Sequence, residues 1–216
     1  MRRTDVQRDS RPDSHQLFTD PVQKAALEAR NGLIQFDEVL RLVDSSNGTL
    51  ALRPSVIQKF QRLAIKEIYT CAGNYRTGPV CIEGTSHQPP PPEEVADLVE
   101  QMCDYATGAT DKTPIHVSAY LMWRINWIHP FAGGNGRTSR ATSYLALCVR
   151  LGYRLPGTVT IPEQIVAKRQ PYYEALDAAD AAWAGGMLDV SEMEKLIAGQ
   201  LAVQLVSVHR AATGTT

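Results

Sequence analysis

The sequence contains no long apolar run, and this excludes one class of protein at once. No stretch approaches the roughly 20 apolar residues that a membrane-spanning helix requires. Residues 1–14 are charged and lack the apolar segment of a signal peptide. These features predict a cytoplasmic protein with no membrane partner. They also fit an effector that is secreted through a signal that is not cleaved.

An excess of charge of either sign is also missing. The chain has 22 Lys and Arg against 23 Asp and Glu, which gives a formal net charge of −1. Proteins that attract nucleic acid or an anionic membrane electrostatically carry a basic surface. The composition therefore predicts no nucleic-acid partner, and any site for an anion must be local.

Cysteine is scarce, with four residues and no Cys-x-x-Cys or Cys/His metal spacing. This predicts small core residues in a reducing compartment, while an even count leaves disulfides open. Since 216 residues with 44% hydrophobic content suffice for one core, a single domain is expected.

What the sequence does contain is an unusual segment at residues 129–140, HPFAGGNGRTSR. Gly133, Gly134 and Gly136 permit positive φ and let successive backbone N–H groups converge on an anion. Asn135 adds an amide donor. Each of these features alone is more typical of an ordinary turn, but together they predict a phosphate site.

The residues on either side of these glycines strengthen the prediction. A helix is expected to begin within residues 134–137, so its positive end would face the same site. Arg137 and Arg140 lie three residues apart and hence on one helix face, where two guanidinium groups suit a di- or triphosphate. His129 precedes the loop and can accept a proton near neutral pH. The alternative is a histidine that ends one helix before a glycine turn.

This segment resembles the signature of the Fic family, His-Pro-Phe-x-(Asp/Glu)-Gly-Asn-Gly-Arg-x-x-Arg. The resemblance implies an all-α domain that transfers a nucleoside monophosphate, most often AMP from ATP, to a hydroxyl of a target protein. It implies His129 as the general base. It assigns nucleotide-phosphate binding to Gly134, Asn135, Gly136, Arg137 and Arg140, and the glycine pattern adds Gly133 to this candidate set.

Gly133 departs from the signature, because the family usually has an acid there that helps to hold magnesium. Glycine offers no side-chain ligand, although Mg²⁺ could still bind through phosphates and water. Three outcomes stay open: slow or metal-independent AMP transfer, transfer from another phosphodiester donor such as a CDP-linked group, or a nucleotide-binding regulatory module with little catalysis.

Helical periodicity predicts an all-α fold with a domain over residues 20–212, and the resemblance to the Fic family covers a core at about 50–185. Residues 1–19 read as a flexible arm and residues 213–216 as a frayed tail. One helix is expected from about Ser55 to Cys71. The helix from Pro114 to Ile128 is apolar nearly all round, which predicts a central position.

Residues 79–92 carry two short β-like runs around a glycine and predict a small β-hairpin. The resemblance makes this segment a flap beside the active site, where an open strand edge could align a target peptide. The candidate flap and target-docking residues are Val80, Cys81, Ile82, Glu83, Gly84 and His87.

Two further expectations come from the resemblance. An aromatic pair and a leucine near the nucleotide base correspond to Tyr172, Tyr173 and Leu176, although simple core packing explains them equally well. Many relatives carry an inhibitory Ser/Thr-x-x-x-Glu-Gly/Asn helix, and Glu28 lies in a suitable helix. Because Lys24 and Ala29 depart from that pattern, inhibition is expected from a partner chain or not at all.

Overall fold

A computed structural model describes Leu17 and residues 20–214, and within them the chain folds into eight α-helices without a β-sheet. The all-α prediction is therefore confirmed. A 3₁₀ turn at Pro92–Glu94 precedes the third helix. The helices are α1 Pro21–Ser45, α2 Pro54–Ile65, α3 Val95–Gly108, α4 Pro114–Ile128, α5 Asn135–Leu151, α6 Ile161–Ala167, α7 Gln170–Ala184 and α8 Ser191–Thr213.

Several helices begin with a side-chain cap followed by proline. The Asp20 carboxylate accepts a hydrogen bond from the Val22 N–H at 2.9 Å, and Pro21 is the first residue of α1. Thr113 does the same for α4, accepting from the His116 N–H at 3.0 Å. Such caps satisfy N–H groups that have no acceptor within the helix, so they fix where α1 and α4 start.

Helix α4 lies at the centre of the molecule, as its apolar sequence predicts. It packs against α3, α5, α7 and α8. Ten of its residues are buried: Val117, Ser118, Ala119, Tyr120, Leu121, Met122, Trp123, Arg124, Ile125 and Ile128. Since helices surround it on several sides, α4 presents the residue at its C-terminal end from a rigid position.

Helix α2 is shorter than the predicted span from Ser55 to Cys71. Lys66 leaves the helical conformation with ψ 135°, and Glu67 has a positive φ of 63°. The chain turns there so that Ile68 enters a second buried cluster with Ile65. Because α2 stops early, its last turn faces the segment between α4 and α5.

The predicted β-hairpin at residues 79–92 is wrong, because this segment contains no paired strand. Proline at position 79 and at positions 89–92 removes five backbone donors that a ladder would need. Only a turn at Gly84, with φ 77°, interrupts an extended path. We call residues 79–92 the flap segment.

The predicted arm at residues 1–19 lies outside the described residues except for Leu17, whose N–H donates to the Ile68 carbonyl at 2.8 Å. Of the predicted tail, Thr213 ends α8, Gly214 follows it, and residues 215–216 lie outside the described part. None of the described helices combines the length and the apolar character that crossing a bilayer demands.

Candidate functional site

A cavity of about 400 Å³ opens where α4 ends and α5 begins. The flap segment forms one side of it, and α6 and α7 form another. Its lining mixes cationic, aromatic and apolar side chains. The lining residues include Glu28, Ile82, Thr85, His87, Asn126, Trp127, His129, Gly134, Asn135, Gly136, Arg137, Arg140, Ile165, Val166, Arg169, Tyr172, Tyr173, Leu176 and Asp180.

His129 is held at the C-terminal end of α4 in an unusual backbone conformation. Its φ of 50° and ψ of 57° are left-handed, and its N–H donates to the Ile125 carbonyl at 2.9 Å. A non-glycine residue in this region is uncommon and often marks a functional position. The conformation ends the helix and aims the imidazole into the cavity.

The surroundings of His129 determine which ring nitrogen carries the proton and whether the ring is charged. Its Nδ1 lies 3.4 Å from the Asn126 carbonyl oxygen, so Nδ1 carries the proton and Nε2 is the basic nitrogen. The pKa of His129 is lowered from 6.5 to about 3, chiefly by burial and in smaller part by the positive charges of Arg76 and nearby His87. The ring is therefore neutral at physiological pH, as a proton acceptor must be.

Arg76 connects the end of α4 to both ends of the flap segment. Its Nε donates to the His129 carbonyl at 2.8 Å, and its Nη2 donates to the Ile128 carbonyl at 3.3 Å. The same guanidinium donates to the Gly78 carbonyl at 3.2 Å and to the Pro90 carbonyl. Its charge also suits the negative end of the α4 dipole. A residue that sequence reasoning left aside thus positions the histidine.

The motif loop, residues 129–140, is closed by its own asparagine. The Asn135 side-chain oxygen accepts from the Phe131 N–H at 3.1 Å, and its amide nitrogen donates to the Phe131 carbonyl at 2.8 Å. Phe131 is fully buried and anchors the loop in the core. The amide that the sequence assigned to phosphate thus shapes the loop, while Asn135 begins α5, whose first N–H groups have no acceptor within the helix.

Gly134 and Gly133 occupy different environments. Gly134 lines the cavity with φ 80°, and an added Cβ would lie 2.8 Å from Ile65 Cγ2. Gly133 is buried, is not among the lining residues, and accepts a hydrogen bond on its carbonyl from Gln61 Nε2 at 3.1 Å. Of the three glycines, Gly134 and Gly136 face the cavity, and Gly133 supports the loop from behind.

Gly134→Ala is expected to destabilise the fold, because alanine at positive φ costs about 1–2 kcal/mol and its methyl group also collides with Ile65. The matched control is Gly152→Ala, since Gly152 has a similar φ of 84° with no atom within 4 Å of an added Cβ. Urea denaturation should show a larger loss for Gly134→Ala. Equal losses of unfolding free energy in the two variants would mean that Ile65 moves aside without an energetic penalty.

Three arginines line the cavity beside the start of α5. Arg137 Nη1 donates to the Ala64 carbonyl at 2.9 Å, at the end of α2. Burial lowers the pKa of Arg140, and the charges of Arg137 and Arg169 act in the same direction. Like charges brought together in a cavity repel each other, and a bound anion would relieve that repulsion.

Glu28 reaches this cluster from α1. Its carboxylate oxygen lies 3.5 Å from Arg137 Nη2, and both side chains are partly exposed. The pairing is thus with the first arginine of the motif and not with Arg140. The sequence had set Glu28 aside because its neighbours do not fit the inhibitory pattern.

The aromatic pair of α7 forms the wall opposite the motif loop. The buried Tyr172 hydroxyl accepts from Asn126 Nδ2 at 2.8 Å and lies 3.4 Å from Ser139 Oγ. Tyr173 and Leu176 line the same wall. All three predicted base-binding residues therefore line the cavity. Tyr172 also holds the side chain of Asn126, whose carbonyl oxygen lies beside His129 Nδ1.

The flap segment alternates between cavity and solvent. Ile82 is buried and lines the cavity, whereas Cys81, Glu83 and Gly84 are exposed and Val80 is half-buried. His87 lies against α4, with Nε2 donating to the Trp127 carbonyl at 2.8 Å. The alternation persists without a hairpin because backbone that is extended turns successive side chains to opposite sides.

The residues present do not fit a resident metal ion. Within the described chain, no group of three or more His, Cys, Asp or Glu side chains could hold one. Asp180, which lines the cavity, accepts a hydrogen bond from Trp123 Nε1 at 2.7 Å. The missing acid at Gly133 thus has no substitute in a ready-made ligand set.

Comparison with known proteins gives a consistent result. A sequence profile of the Fic/DOC family matches residues 51–147. A protein from Nematostella vectensis named Protein adenylyltransferase Fic is 28% identical over 173 residues, covering 73% of this chain and 36% of that protein. A protein of the same name from Drosophila melanogaster is 34% identical over 110 residues, covering 50% and 20%. The chain spans about a third or less of the length of these relatives.

Solved structures show the same fold. A Fic domain containing signaling protein from Bacteroides thetaiotaomicron superposes with a TM-score of 0.73 at 20% identity, covering 92% of this chain and 77% of the other. A Fic family protein from Desulfovibrio desulfuricans G20 gives a TM-score of 0.64 at 20% identity, with coverage of 92% and 57%. At such identities the similarity concerns the fold.

Proposed function

The chain contains a domain of the Fic/DOC family, and on this premise we propose that its cavity transfers AMP from ATP to a Ser, Thr or Tyr hydroxyl of a target protein. One observation carries the proposal: a neutral histidine and three arginines line a single cavity at the positive end of a helix. The histidine suits an incoming hydroxyl, and the cations suit a triphosphate.

In the proposed reaction, the triphosphate lies across Gly134 and Gly136, against the first N–H groups of α5. His129 Nε2 removes the proton of the target hydroxyl as its oxygen attacks the α-phosphorus. The bond from the α-phosphorus to the bridging β-phosphate oxygen breaks, and pyrophosphate leaves. The protein's contribution is positioning and charge stabilisation, as in other phosphoryl transfers.

The nucleoside would extend toward α6 and α7. Tyr173, Leu176 and Ile165 offer an apolar and aromatic wall of the kind that stacks on a planar base. Tyr172 is tied to Asn126 and Ser139, so we assign it to the shape of the wall. This division of roles narrows the predicted base contacts from Tyr172, Tyr173 and Leu176 to the last two.

The target would enter beside the flap segment. Because the flap segment is extended and unpaired, its backbone groups can align a target chain through main-chain hydrogen bonds. Ile82 closes the cavity side while Glu83 faces solvent.

The four cysteines are free thiols, which supports a location in a reducing compartment such as the cytoplasm.

The direct test is to incubate the full chain with ATP labelled on the α-phosphate, first alone and then with a cell extract. Intact-mass and peptide analysis should find an AMP adduct on a hydroxyl side chain. Parallel reactions with GTP, UTP and a CDP-linked donor identify the preferred group. An adduct from one of these and none from ATP would reject ATP as donor, and no adduct from any of them would reject the proposed transfer.

Regulation within this chain is proposed for Glu28. Its carboxylate occupies part of the Arg137 guanidinium that a phosphate would otherwise contact. Glu28→Gln is expected to tighten ATP binding about two- to fivefold, as partly exposed ion pairs contribute little. Calorimetry measures the change.

A suitable control for that experiment is Glu67→Gln, which breaks the comparably exposed Arg30–Glu67 pair outside the cavity. Glu67→Gln should leave ATP affinity unchanged. If both variants behave like the wild type, Glu28 does not compete with the nucleotide, and an inhibitory partner chain becomes the remaining candidate.

A further inference from the structure

Arg169 is a cavity residue that neither the motif nor the sequence periodicity identified. It lies at the N-cap of α7, three residues before Tyr172, and its half-buried side chain lines the same cavity as His129. It is close enough to Arg140 for its charge to lower the pKa of that residue. The phosphate end of the cavity is therefore shared by three guanidinium groups, one of them outside the motif.

The three arginines are not equally available. Arg137 is held by the Ala64 carbonyl at 2.9 Å and by Glu28 at 3.5 Å. In the part of the chain that the structure describes, neither Arg140 nor Arg169 forms an ion pair with a carboxylate. The two cations that can meet a ligand without displacing an internal partner are thus Arg140 and Arg169.

The anionic side of the cavity points to the same conclusion. Among the residues that the structure describes, its lining contains two carboxylates, those of Glu28 and Asp180. The first lies beside Arg137, and the second accepts a hydrogen bond from Trp123. Gly133, at the position of the family's usual acid, is buried behind the loop and has no side chain. The lining suits a phosphate chain, and the described residues offer no ready-made group of three or more side-chain ligands for a divalent cation.

We propose that Arg169 and Arg140 together bind the β- and γ-phosphates of the donor, so that triphosphate binding and transfer require no divalent cation. This inference rests on the proposed function. Guanidinium groups are always charged and bind phosphate oxygens in a bidentate way, which provides both neutralisation and orientation. Negative charge on the departing pyrophosphate then develops between two cations.

The test separates phosphate binding from catalysis by using inorganic tripolyphosphate as the ligand. Calorimetry on the full chain should show binding in EDTA that is at least as tight as binding in excess Mg²⁺. Arg169→Gln should weaken it by about 10- to 100-fold, which is typical for the loss of a hydrogen bond to a charged group. The matched control is Arg53→Gln, because Arg53 is an exposed arginine at the N-cap of α2, outside the cavity. This control should bind like the wild type.

Circular dichroism confirms that each variant is folded. Loss of wild-type binding in EDTA would overturn the inference, as would an Arg169→Gln variant that binds like Arg53→Gln.

These outcomes are distinguishable from a failure of the proposed function. If tripolyphosphate binds with the expected dependence on Arg169 and no AMP adduct forms from ATP, the binding assignment stands and AMP transfer from ATP does not. If an adduct forms only when Mg²⁺ is present, AMP transfer stands and the metal-independent mechanism is overturned.

Discussion

His129→Asn is expected to lower the rate of nucleotide transfer by about 10²- to 10⁴-fold while ATP still binds. A general base at the reacting hydroxyl usually contributes a factor of this size. Asparagine is the better substitute than alanine because it tolerates the left-handed backbone at this position, where φ is 50°. Single-turnover transfer and calorimetry measure the two effects separately.

The control for this variant is His209→Asn, which alters an exposed histidine on α8. It should transfer at the wild-type rate. A His129→Asn variant that retained full transfer, or that lost ATP binding together with transfer, would assign the imidazole to structure and not to catalysis.

The pH dependence provides a second readout of His129. Burial holds its pKa at about 3, so the free protein keeps a neutral imidazole and kcat/KM should show no acid limb from this group between roughly pH 5 and 8. The effect of pH on the free energy of unfolding has the opposite sign to that of a histidine whose pKa is raised by an acidic partner. Because the unfolded chain binds the proton first, below about 6.5, this contribution is lost as the pH falls toward 3. Urea denaturation should show that His129→Asn loses less unfolding free energy than the wild type as the pH falls through that interval.

Arg76→Met is expected to destabilise the fold by about 3 kcal/mol or more and to reduce transfer at temperatures where the variant is folded. The substitution leaves several largely buried carbonyl oxygens without their donor, among them those of Ile128 and His129. Removing the nearby positive charge should also raise the pKa of His129, since Arg76 contributes to its depression after burial does. Urea denaturation and NMR of labelled histidine measure these effects.

Arg150→Met serves as the matched control, because Arg150 likewise donates to backbone carbonyls, those of Ala109 and Lys112, at the opposite end of α5. It should lower stability while folded protein transfers normally. An Arg76→Met variant that is destabilised but keeps the wild-type transfer rate and the wild-type histidine pKa would limit Arg76 to a structural role.

The sequence predicted the part of the site that is contiguous in the chain. Capping residues and apolar periodicity predicted α4 and α5, and glycine and arginine spacing predicted the loop between them. These features depend on neighbours within about one helical turn, so local rules suffice. The resemblance added roles, and for Gly134, Gly136, Arg137 and Arg140 the structure provides a cavity in which those roles are feasible.

Tertiary packing decided the rest. The hairpin prediction failed because alternation of side chains was taken for pairing, whereas prolines remove the donors and Arg76 fixes the segment by its ends. Helix α2 ends early where Lys66 leaves the helical conformation and Glu67 adopts a left-handed one. The helical propensities of these residues do not predict that break. Arg169 and Glu28 come from distant helices, and a single sequence does not show which faces meet.

The alternation along the flap segment also makes a native labelling site available. Cys81 is exposed on its outer side, whereas Cys103 and Cys148 are buried, and burial raises the pKa of the Cys103 thiol to about 12. Thiolates react with maleimides and thiols do not, so a fluorophore should attach to Cys81 well before it reaches those core cysteines. Without any engineered residue, the polypeptide can thus carry an optical reporter beside the cavity, and its fluorescence should change if the proposed target protein binds there.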